Sequence, residues 1–274
     1  MIQKNIILTG PPRSGTTLTC NLLNKLPNVV ALHEPMNLKL FPNKTEGLKN
    51  TIEFFEKMRT MIDEEGFAIS KVKDGVIPTN PFEEGESNRS SIVKKEKFKI
   101  EKQLSPNYLL VIKQNAHFTF LLNELSNYLP CYAILRNPLA TIASWNSIKA
   151  PVSDGNLTVL KGLNPLLFEK LNTISDLFLR QIALYNEIVK NYSLINEKNI
   201  IRYEDLITSS GKVLSTITEV ASELQVKLIN KNKVNRYNFD QMELIANQIL
   251  RNQGAWREFY TEEEIIDTLK FYNQ

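Results

Sequence analysis

The segment from residue 6 to residue 18, IILTGPPRSGTTL, constrains the fold more than any other part of this chain. Its apolar start is typical of a buried strand, and Gly10 and Gly15 permit a tight turn after it. Leucines at helical spacing then continue as far as Pro27, which indicates a helix. A strand that passes through a glycine-rich turn into a helix is the phosphate-binding arrangement of α/β proteins.

One residue in this turn departs from the usual nucleotide-binding pattern GxxxxGK[ST]. Gly10, Gly15 and Thr17 match that pattern, but Thr16 occupies the lysine position. Enzymes that use ATP or GTP rely on that lysine to hold the β- and γ-phosphates, and on the next hydroxyl to hold Mg²⁺. Arg13 is the only cationic residue within the loop. The loop is therefore suited to a phosphate group, but not to the usual nucleoside triphosphate.

Short apolar runs alternate with helix-length amphipathic segments along the rest of the chain. This alternation predicts a three-layer α/β fold resembling P-loop NTPases, with a mostly parallel five-stranded central sheet flanked by helices. We expect strands at 5–9, 29–32, 109–113, 131–135 and 199–202, and long helices within 48–65 and 166–191. Thr261 and Glu264 form a TxxE capping box, which predicts the start of a final helix.

All 274 residues are expected to form a single domain, because α/β domains commonly reach this length. The segment 66–107, called the inserted segment below, is the least regular part. It contains Pro78, Pro81, Gly85 and Pro106 and a charged run at 94–102. It is either a solvated surface excursion or a lid that helps to form an acceptor site.

Composition excludes several classes of function. A net charge of +3 and a pI near 8.6 are too mild to indicate a nucleic-acid-binding protein. No run approaches the roughly 18 apolar residues of a membrane span, and the first predicted strand begins close to Met1. We therefore expect a soluble cytoplasmic protein without membrane association. Cys20 and Cys131 lie far apart in apolar patterns and are predicted to be buried, reduced thiols rather than a disulfide or metal site.

A second informative segment is CYAILRNPLATIASW, residues 131–145. Its apolar strand ends at Arg136, Asn137 is a suitable helix cap, and Pro138 fits the first helical position. Ser144 follows Asn137 by seven residues, or about two helical turns at 3.6 residues each, and so returns to the face that carries the cap. Arg136 and Ser144 are thus predicted to hold one anion between a guanidinium and a hydroxyl.

Together, the two segments resemble the sulfotransferase family that uses 3′-phosphoadenosine 5′-phosphosulfate (PAPS). In that family a loop of the form GxPRSGTT holds the 5′-phosphosulfate, and an arginine and a serine eight residues apart hold the 3′-phosphate. Residues 10–17, together with Arg136 and Ser144, match both features. The similarity continues, in the family's order, with VIKQNAH at 111–117, RYEDL at 202–206 and QGAWREF at 253–259.

The resemblance implies a donor site for PAPS that needs no metal, with adenosine 3′,5′-bisphosphate (PAP) as the product. Around the 5′-phosphate it implies the residues Arg13, Ser14, Gly15, Thr16 and Thr17, at a helix N-terminus that favours anions. Around the adenosine and the 3′-phosphate it implies Arg136, Ser144, Tyr203, Arg251, Trp256 and Arg257.

Sulfuryl transfer is an in-line displacement, in which the protein mainly positions the reactants and stabilises charge. Arg13 is expected to meet the charge that grows on the leaving phosphate. Lys113, at the end of the third predicted strand of the sheet, matches a family lysine that reaches the bridging oxygen. Both residues are therefore candidates for leaving-group stabilisation.

The acceptor loses a proton as it attacks, so a general base is needed. Asn115 stands where the cytosolic aryl sulfotransferases carry a histidine, so that solution is absent. Glu34, in the sequence LHEP, matches a glutamate that serves as the base in tyrosylprotein and heparan-type sulfotransferases. We therefore favour Glu34. His33 and His117 are the alternatives, and His117 is equally suited to a structural or substrate-orienting role.

The favoured function is sulfuryl transfer to a hydroxyl or nitrogen of a small-molecule acceptor, such as a sugar or a polar natural product of the saxitoxin type. A P-loop small-molecule kinase or NTPase is one alternative, disfavoured because no apolar strand ends in an aspartate that could hold Mg²⁺. A catalytically inactive nucleotide-binding protein is the other. It is disfavoured because Arg13, Lys113 and Glu34 are all present.

Overall fold

A computed structural model describes residues 4–233 and 237–273 of the chain. Its strands are β1 (Lys4–Thr9), β2 (Val29–His33), β3 (Phe67–Val72), β4 (Lys94–Lys99), β5 (Leu109–Lys113), β6 (Cys131–Leu135) and β7 (Ile200–Arg202). Five of them form a parallel sheet in the order β2-β5-β1-β6-β7, and β3 and β4 form a separate antiparallel pair. The predicted α/β class, with a five-stranded parallel sheet flanked by helices, is confirmed.

The described α-helices are α1 (Thr16–Lys25), α2 (Lys44–Glu65), α3 (Asn115–Phe120), α4 (Leu122–Leu125), α5 (Pro138–Asn146), α6 (Leu160–Leu163), α7 (Pro165–Asn172), α8 (Leu177–Lys190), α9 (Tyr203–Thr208), α10 (Phe239–Arg251) and α11 (Glu262–Lys270). Short 3-10 turns join several of them. Within the described ranges, no helix combines the length and apolar character needed to cross a membrane.

Helix caps determine where two of the predicted helices begin. The helix expected within 166–191 is divided into α7 and α8, because the Asp176 side chain accepts a hydrogen bond from the Leu179 amide and starts a new helix. The capping box of α11 is confirmed, with reciprocal bonds between Thr261 and Glu264.

The main sheet forms the centre of the core. Every residue of β2 and β5 is buried, as expected of parallel strands covered on both faces. Cys20 and Cys131 are buried and free, as predicted, and burial raises the pKa of each thiol to about 12. Because the strands are parallel, all of their carboxyl ends lie at one edge of the sheet.

The inserted segment is more regular than its composition predicts, since it contains the β3–β4 pair. Side chains of β3 are alternately buried, and the Ser70 hydroxyl accepts a hydrogen bond from the His33 amide at 2.8 Å. This bond attaches the pair to the end of β2. The charged run at 94–102, expected to be irregular, includes β4.

Candidate active site

The carboxyl ends of the five parallel strands converge on one cavity of about 790 Å³. This is the edge at which open α/β sheets bind their ligands. In sheet order, the predicted site residues that line the cavity at the strand ends are Glu34 after β2, Lys113 at the end of β5, Arg13 in the loop after β1, Arg136 after β6 and Tyr203 after β7.

The loop at 10–17 fits between its neighbours only because it carries two glycines. Gly15 has a φ of +96°, and a Cβ there would lie 2.6 Å from the Tyr203 ring. At Gly10, where φ is +157°, a Cβ would lie 2.4 Å from the carbonyl oxygen of Ile134. Both positions require glycine, because a side chain would push the loop off β6 and off the start of α9.

The loop is held in place and keeps unused hydrogen-bonding groups. Trp145 donates a hydrogen bond from Nε1 to the Pro12 carbonyl at 2.6 Å. The Ser14 hydroxyl is buried and has no hydrogen-bond partner among the described residues. The first amides of α1, which begins at Thr16, have no partner within the helix. The loop therefore has donors available for an anion.

Arg13 connects the loop to the inserted segment. Its backbone φ of +72° is unfavourable for a residue other than glycine. The guanidinium donates from Nε to the Ser144 hydroxyl at 3.2 Å and from Nη1 to Asn80 Oδ1 at 3.1 Å. It also lies 4.8 Å from the centre of the Phe82 ring. These contacts hold the cation at the cavity wall and offset the backbone strain.

Glu34 lies between two lysines. Its Oε1 accepts from Lys113 Nζ and its Oε2 from Lys71 Nζ, both at 2.6 Å. The Lys113 side chain is 1% exposed and that of Lys71 is 36% exposed, so the first ion pair is more deeply buried than the second. Glu34 also has a positive φ, +44°, and strain of this kind often marks a functional position.

These contacts set the ionisation of Glu34. Burial acts to raise the pKa of its carboxyl, but the charges of Lys113, His33 and Lys71 lower that pKa well below the ordinary 4.5. Burial lowers the pKa of Lys113, and Glu34 opposes that shift. A carboxylate with so low a pKa is a weak base, so Glu34 can accept a proton effectively only after its lysine contacts loosen.

Both histidines line the cavity and are neutral at pH 7. Burial lowers the pKa of His33 to about 3 and that of His117 to about 4. His33 Nδ1 lies 3.3 Å from Lys113 Nζ, and His117 Nδ1 lies 3.4 Å from Gln114 Nε2. The Nε2 atom of each ring is buried without a partner among the described residues. Each histidine thus adjoins the cavity, but neither is a strong base.

Arg136 and Ser144 both form hydrogen bonds with Arg13, which places the predicted pair in one network, and other residues occupy their polar groups. Arg136 is 3% exposed, and it donates from Nε to Asn232 Oδ1 at 2.6 Å and from Nη1 to the Arg13 carbonyl at 3.0 Å. Burial acts to raise the pKa of Tyr237, but the charge of Arg136 and hydrogen bonds with Ser144 and Arg136 lower it. The Tyr237 hydroxyl thus contacts both members of the predicted phosphate-binding pair.

Tyr203 supports the same part of the cavity. It is 3% exposed, its ring packs against Gly15, and the Arg136 guanidinium lies 5.0 Å from the ring centre. Its hydroxyl accepts a hydrogen bond from the Lys231 amide at 2.9 Å. Tyr203 therefore joins the loop after β1 to the segment that precedes α10.

Five residues implied by the resemblance are not among the described residues that line the cavity: Ser14, Ser144, Arg251, Trp256 and Arg257. Ser14 lies within the loop at 10–17 and Ser144 accepts a hydrogen bond from Arg13, whereas the last three belong to the C-terminal part of the chain. Arg251 is exposed at the end of α10, and Trp256 is 1% exposed within the core. Arg257 donates to the Leu250 carbonyl at 3.1 Å and forms an ion pair with Glu262. Its guanidinium also lies 4.4 Å from the Trp256 ring. The C-terminal motif at 253–259 therefore packs into the core and onto neighbouring residues, and its Trp256 and Arg257 do not line the cavity.

The cavity also contains residues that the sequence motifs do not indicate. Lys71, Asn80, Phe82 and Lys95 come from the inserted segment, and Tyr237 precedes α10. Among the described lining residues, cations outnumber anions by eight to two: Arg13, Lys71, Lys95, Lys113, Arg136, Lys149, Lys227 and Lys231 against Glu34 and Glu84. This excess far exceeds what the net charge of the chain implies, and it suits an anionic ligand. Among the described residues, no group of three or more His, Cys, Asp and Glu side chains could hold a metal ion.

Comparison with solved structures gives matches to sulfotransferases, the family that the sequence motifs resemble. A sulfotransferase domain from the Synechococcus PCC 7002 olefin synthase is 15% identical, with coverage of 100% of this chain and 95% of that one and a TM-score of 0.40. A sulfotransferase domain from the curacin biosynthetic pathway is 16% identical, covers 98% of both chains and has a TM-score of 0.42.

A third match is the sulfotransferase STF1 from Mycobacterium tuberculosis H37Rv, with 13% identity, coverage of 92% and 78%, and a TM-score of 0.36. No protein-family model matches the chain, and no match was found among curated proteins. These identities and TM-scores are too low to transfer a function, so the proposal below rests on the residues of the site itself.

Proposed function

We propose that this protein transfers the sulfuryl group of PAPS to a hydroxyl or nitrogen of a small-molecule acceptor. The observation that carries the proposal is the order of groups along the carboxyl edge of the sheet. Glu34 and Lys113, after β2 and β5, stand on one side of the phosphate loop, and Arg136, after β6, stands on the other. In this proposal, the acceptor and the reacting atoms lie on the Glu34 and Lys113 side of the loop, and the nucleotide lies on the Arg136 side.

The phosphate loop supports the donor assignment. The Ser14 hydroxyl is buried without a described partner, and the N-terminus of α1 adds free amides and a favourable dipole. Thr16 supplies no charge where a triphosphate enzyme needs its lysine. Arg13 from the loop and Lys113 from β5 supply cations instead, on either side of a single phosphate position. A phosphosulfate fits this arrangement better than a triphosphate with Mg²⁺.

The nucleoside would occupy the side of the cavity formed after β6 and β7. Arg136 and Ser144 would bind the 3′-phosphate, with Tyr237 withdrawing from between them, and Tyr203 would adjoin the adenosine. Arg251, Trp256 and Arg257 are left out of this site because they do not line the cavity, whereas Ser144, which does not line it either, contacts the lining residue Arg13. The inserted segment would close the acceptor side, since its Asn80 and Phe82 already contact Arg13.

In the proposed reaction, the acceptor atom forms a bond to sulfur while the bond from sulfur to the 5′-phosphate oxygen breaks. The electron pair of the broken bond stays on PAP, where Lys113 and Arg13 stabilise it. The acceptor proton passes to Glu34. Lys113 has a double role, because it must leave Glu34 Oε1, at 2.6 Å, to meet the leaving group. That movement would raise the pKa of Glu34 when a base is needed.

Ligand-induced thermal stabilisation tests this function without knowledge of the acceptor. PAP in the presence of EDTA should raise the melting temperature, and adenosine 5′-monophosphate should do so much less, because it lacks the 3′-phosphate. Stabilisation by ATP with Mg²⁺ but not by PAP would refute the proposal and favour a kinase or NTPase.

A further inference from the structure

Two lysines of the inserted segment face each other across the β3–β4 pair. Lys71 and Lys95 are directly opposite in the antiparallel register, and both line the cavity. Like charges at such positions repel and destabilise a strand pair. The arrangement is therefore costly in the free protein, unless an anion offsets the two charges.

Among the described residues, a carboxylate offsets only one of the two charges. Lys71 donates to Glu34 Oε2 at 2.6 Å, whereas Lys95 donates to the neutral Oδ1 of Asn37 at 2.6 Å. Burial, followed by the charge of Lys71, lowers the pKa of Lys95, which agrees with a shortage of negative charge around it. The lysine pair thus has unused capacity to bind an anion.

The surroundings of the pair define what kind of anion would fit. The same cavity is also lined by the apolar residues Met36, Leu38, Val93, Leu157 and Val159, so the remainder of a molecule anchored at the lysines would meet an apolar surface. Glu34 lies on the far side of Lys71, toward Lys113 and the phosphate loop. A molecule bound here would have its charged end at the lysines and the rest of its body near the reaction centre.

We propose that the acceptor is an organic anion whose carboxylate or phosphate binds between Lys71 and Lys95 and thereby releases Glu34 Oε2 from Lys71. This inference rests on the proposed sulfuryl transfer and names its substrate class. The acceptor's anion replaces the Glu34 carboxylate as the partner of Lys71. The freed Oε2 then accepts the proton that the attacking hydroxyl or amine loses.

The proposal makes base activation depend on the correct acceptor. Without an anion, Lys71 holds Glu34 ionised and unreactive. A cationic acceptor such as a guanidinium alkaloid would meet repulsion from Lys71 and Lys95 and would leave the Glu34–Lys71 ion pair intact. A hydroxy acid, a uronic acid or a phosphate ester supplies the required charge.

Calorimetric titration of the PAP-saturated protein tests the inference, because PAP then fills the donor site. The probes are matched carboxylate and amide pairs: 4-hydroxyphenylacetate, glucuronate and 3-hydroxybutyrate, each with its primary amide. At least one carboxylate should bind about tenfold or more tightly than its amide, as a charge-assisted hydrogen bond predicts. No preference in any pair, including no measurable binding, would overturn the inference.

Three variants test whether the preference for a carboxylate over its amide depends on the lysine pair. Lys71→Gln and Lys95→Gln should each abolish it, whereas Lys97→Gln should retain it. Lys97 is two residues from Lys95 on β4, pairs with Glu65 and does not line the cavity. If Lys71→Gln and Lys95→Gln kept the carboxylate preference, the inference would be overturned. Failure of PAP itself to bind in EDTA would refute the proposed function, whereas PAP binding without a carboxylate preference would refute only this inference.

Discussion

The two sides of the cavity are built in different ways. The proposed donor side consists of strand ends and short consecutive motifs, held by Trp145, Tyr203 and Gly15 against the sheet. The proposed acceptor side consists of the inserted segment, whose Lys71 and Asn80 reach across to Glu34 and Arg13. One side is thus fixed by local sequence, and the other by contacts between distant residues. Substitutions on the two sides should separate donor binding from chemistry and acceptor choice.

Replacement of Lys113 should have the largest effect on turnover, because this residue lies between the two sides of the cavity. Lys113→Met removes the cation proposed to stabilise the leaving group, so kcat should fall by about three orders of magnitude. PAP affinity should fall far less. Stopped assays with labelled PAPS and calorimetry with PAP measure the two quantities. Lys97→Met, an equal change at an exposed site, is the control. An equal loss of PAP affinity would make Lys113 a binding residue only.

Replacement of the proposed base should have the next largest effect. Glu34→Gln should lower kcat by about two orders of magnitude, since it cannot accept the proton, and should leave PAP binding intact. The wild-type kcat/KM should stay flat from about pH 8 to about pH 5.5, because the pKa of Glu34 in the free enzyme lies well below 4.5. Near-normal turnover by Glu34→Gln would transfer the role to His33 or His117.

A smaller and more selective effect is expected at Arg136. Arg136→Ala should weaken the binding of PAPS by about 10- to 100-fold, as the loss of charge-assisted hydrogen bonds predicts. It should weaken the binding of adenosine 5′-phosphosulfate much less. Asn232→Ala, which removes a partner of Arg136 but keeps its charge, is the matched control. Equal weakening of both donors by Arg136→Ala would contradict its assignment to the 3′-phosphate. The measurement is the KM for each donor.

The smallest effect is expected at Arg251. Arg251→Ala should leave PAP affinity within about twofold, because a surface substitution away from the cavity has little effect. Calorimetry with PAP checks this. A tenfold loss would show that the C-terminal motif moves onto the donor after binding, as the sequence resemblance implies.

The features that the sequence predicts well are local ones. The sequence pattern predicts the strand at 5–9, the glycines of the loop, Lys113 at a strand end and the TxxE cap, because each depends on neighbouring residues. Glu34 is also placed at the cavity because it follows a buried strand directly.

The features that the sequence misses depend on contacts between distant segments. The opposition of Lys71 and Lys95 follows from strand register within a charged segment that reads as a surface loop. Tyr237 reaches Ser144 from far along the chain. Trp256 belongs to a motif that the resemblance assigns to the donor, but here its large apolar ring is buried in the core.

Transfer of labelled sulfur tests the central claim most directly. Wild-type protein and Lys113→Met would be incubated in EDTA with PAPS labelled in its sulfuryl group and with an extract of small metabolites. Mass spectrometry would then detect the labelled products. The account predicts a labelled small molecule formed in step with PAP by the wild type, and about a thousandfold less by the variant. No labelled product from the wild type, or equal amounts from both proteins, would contradict it.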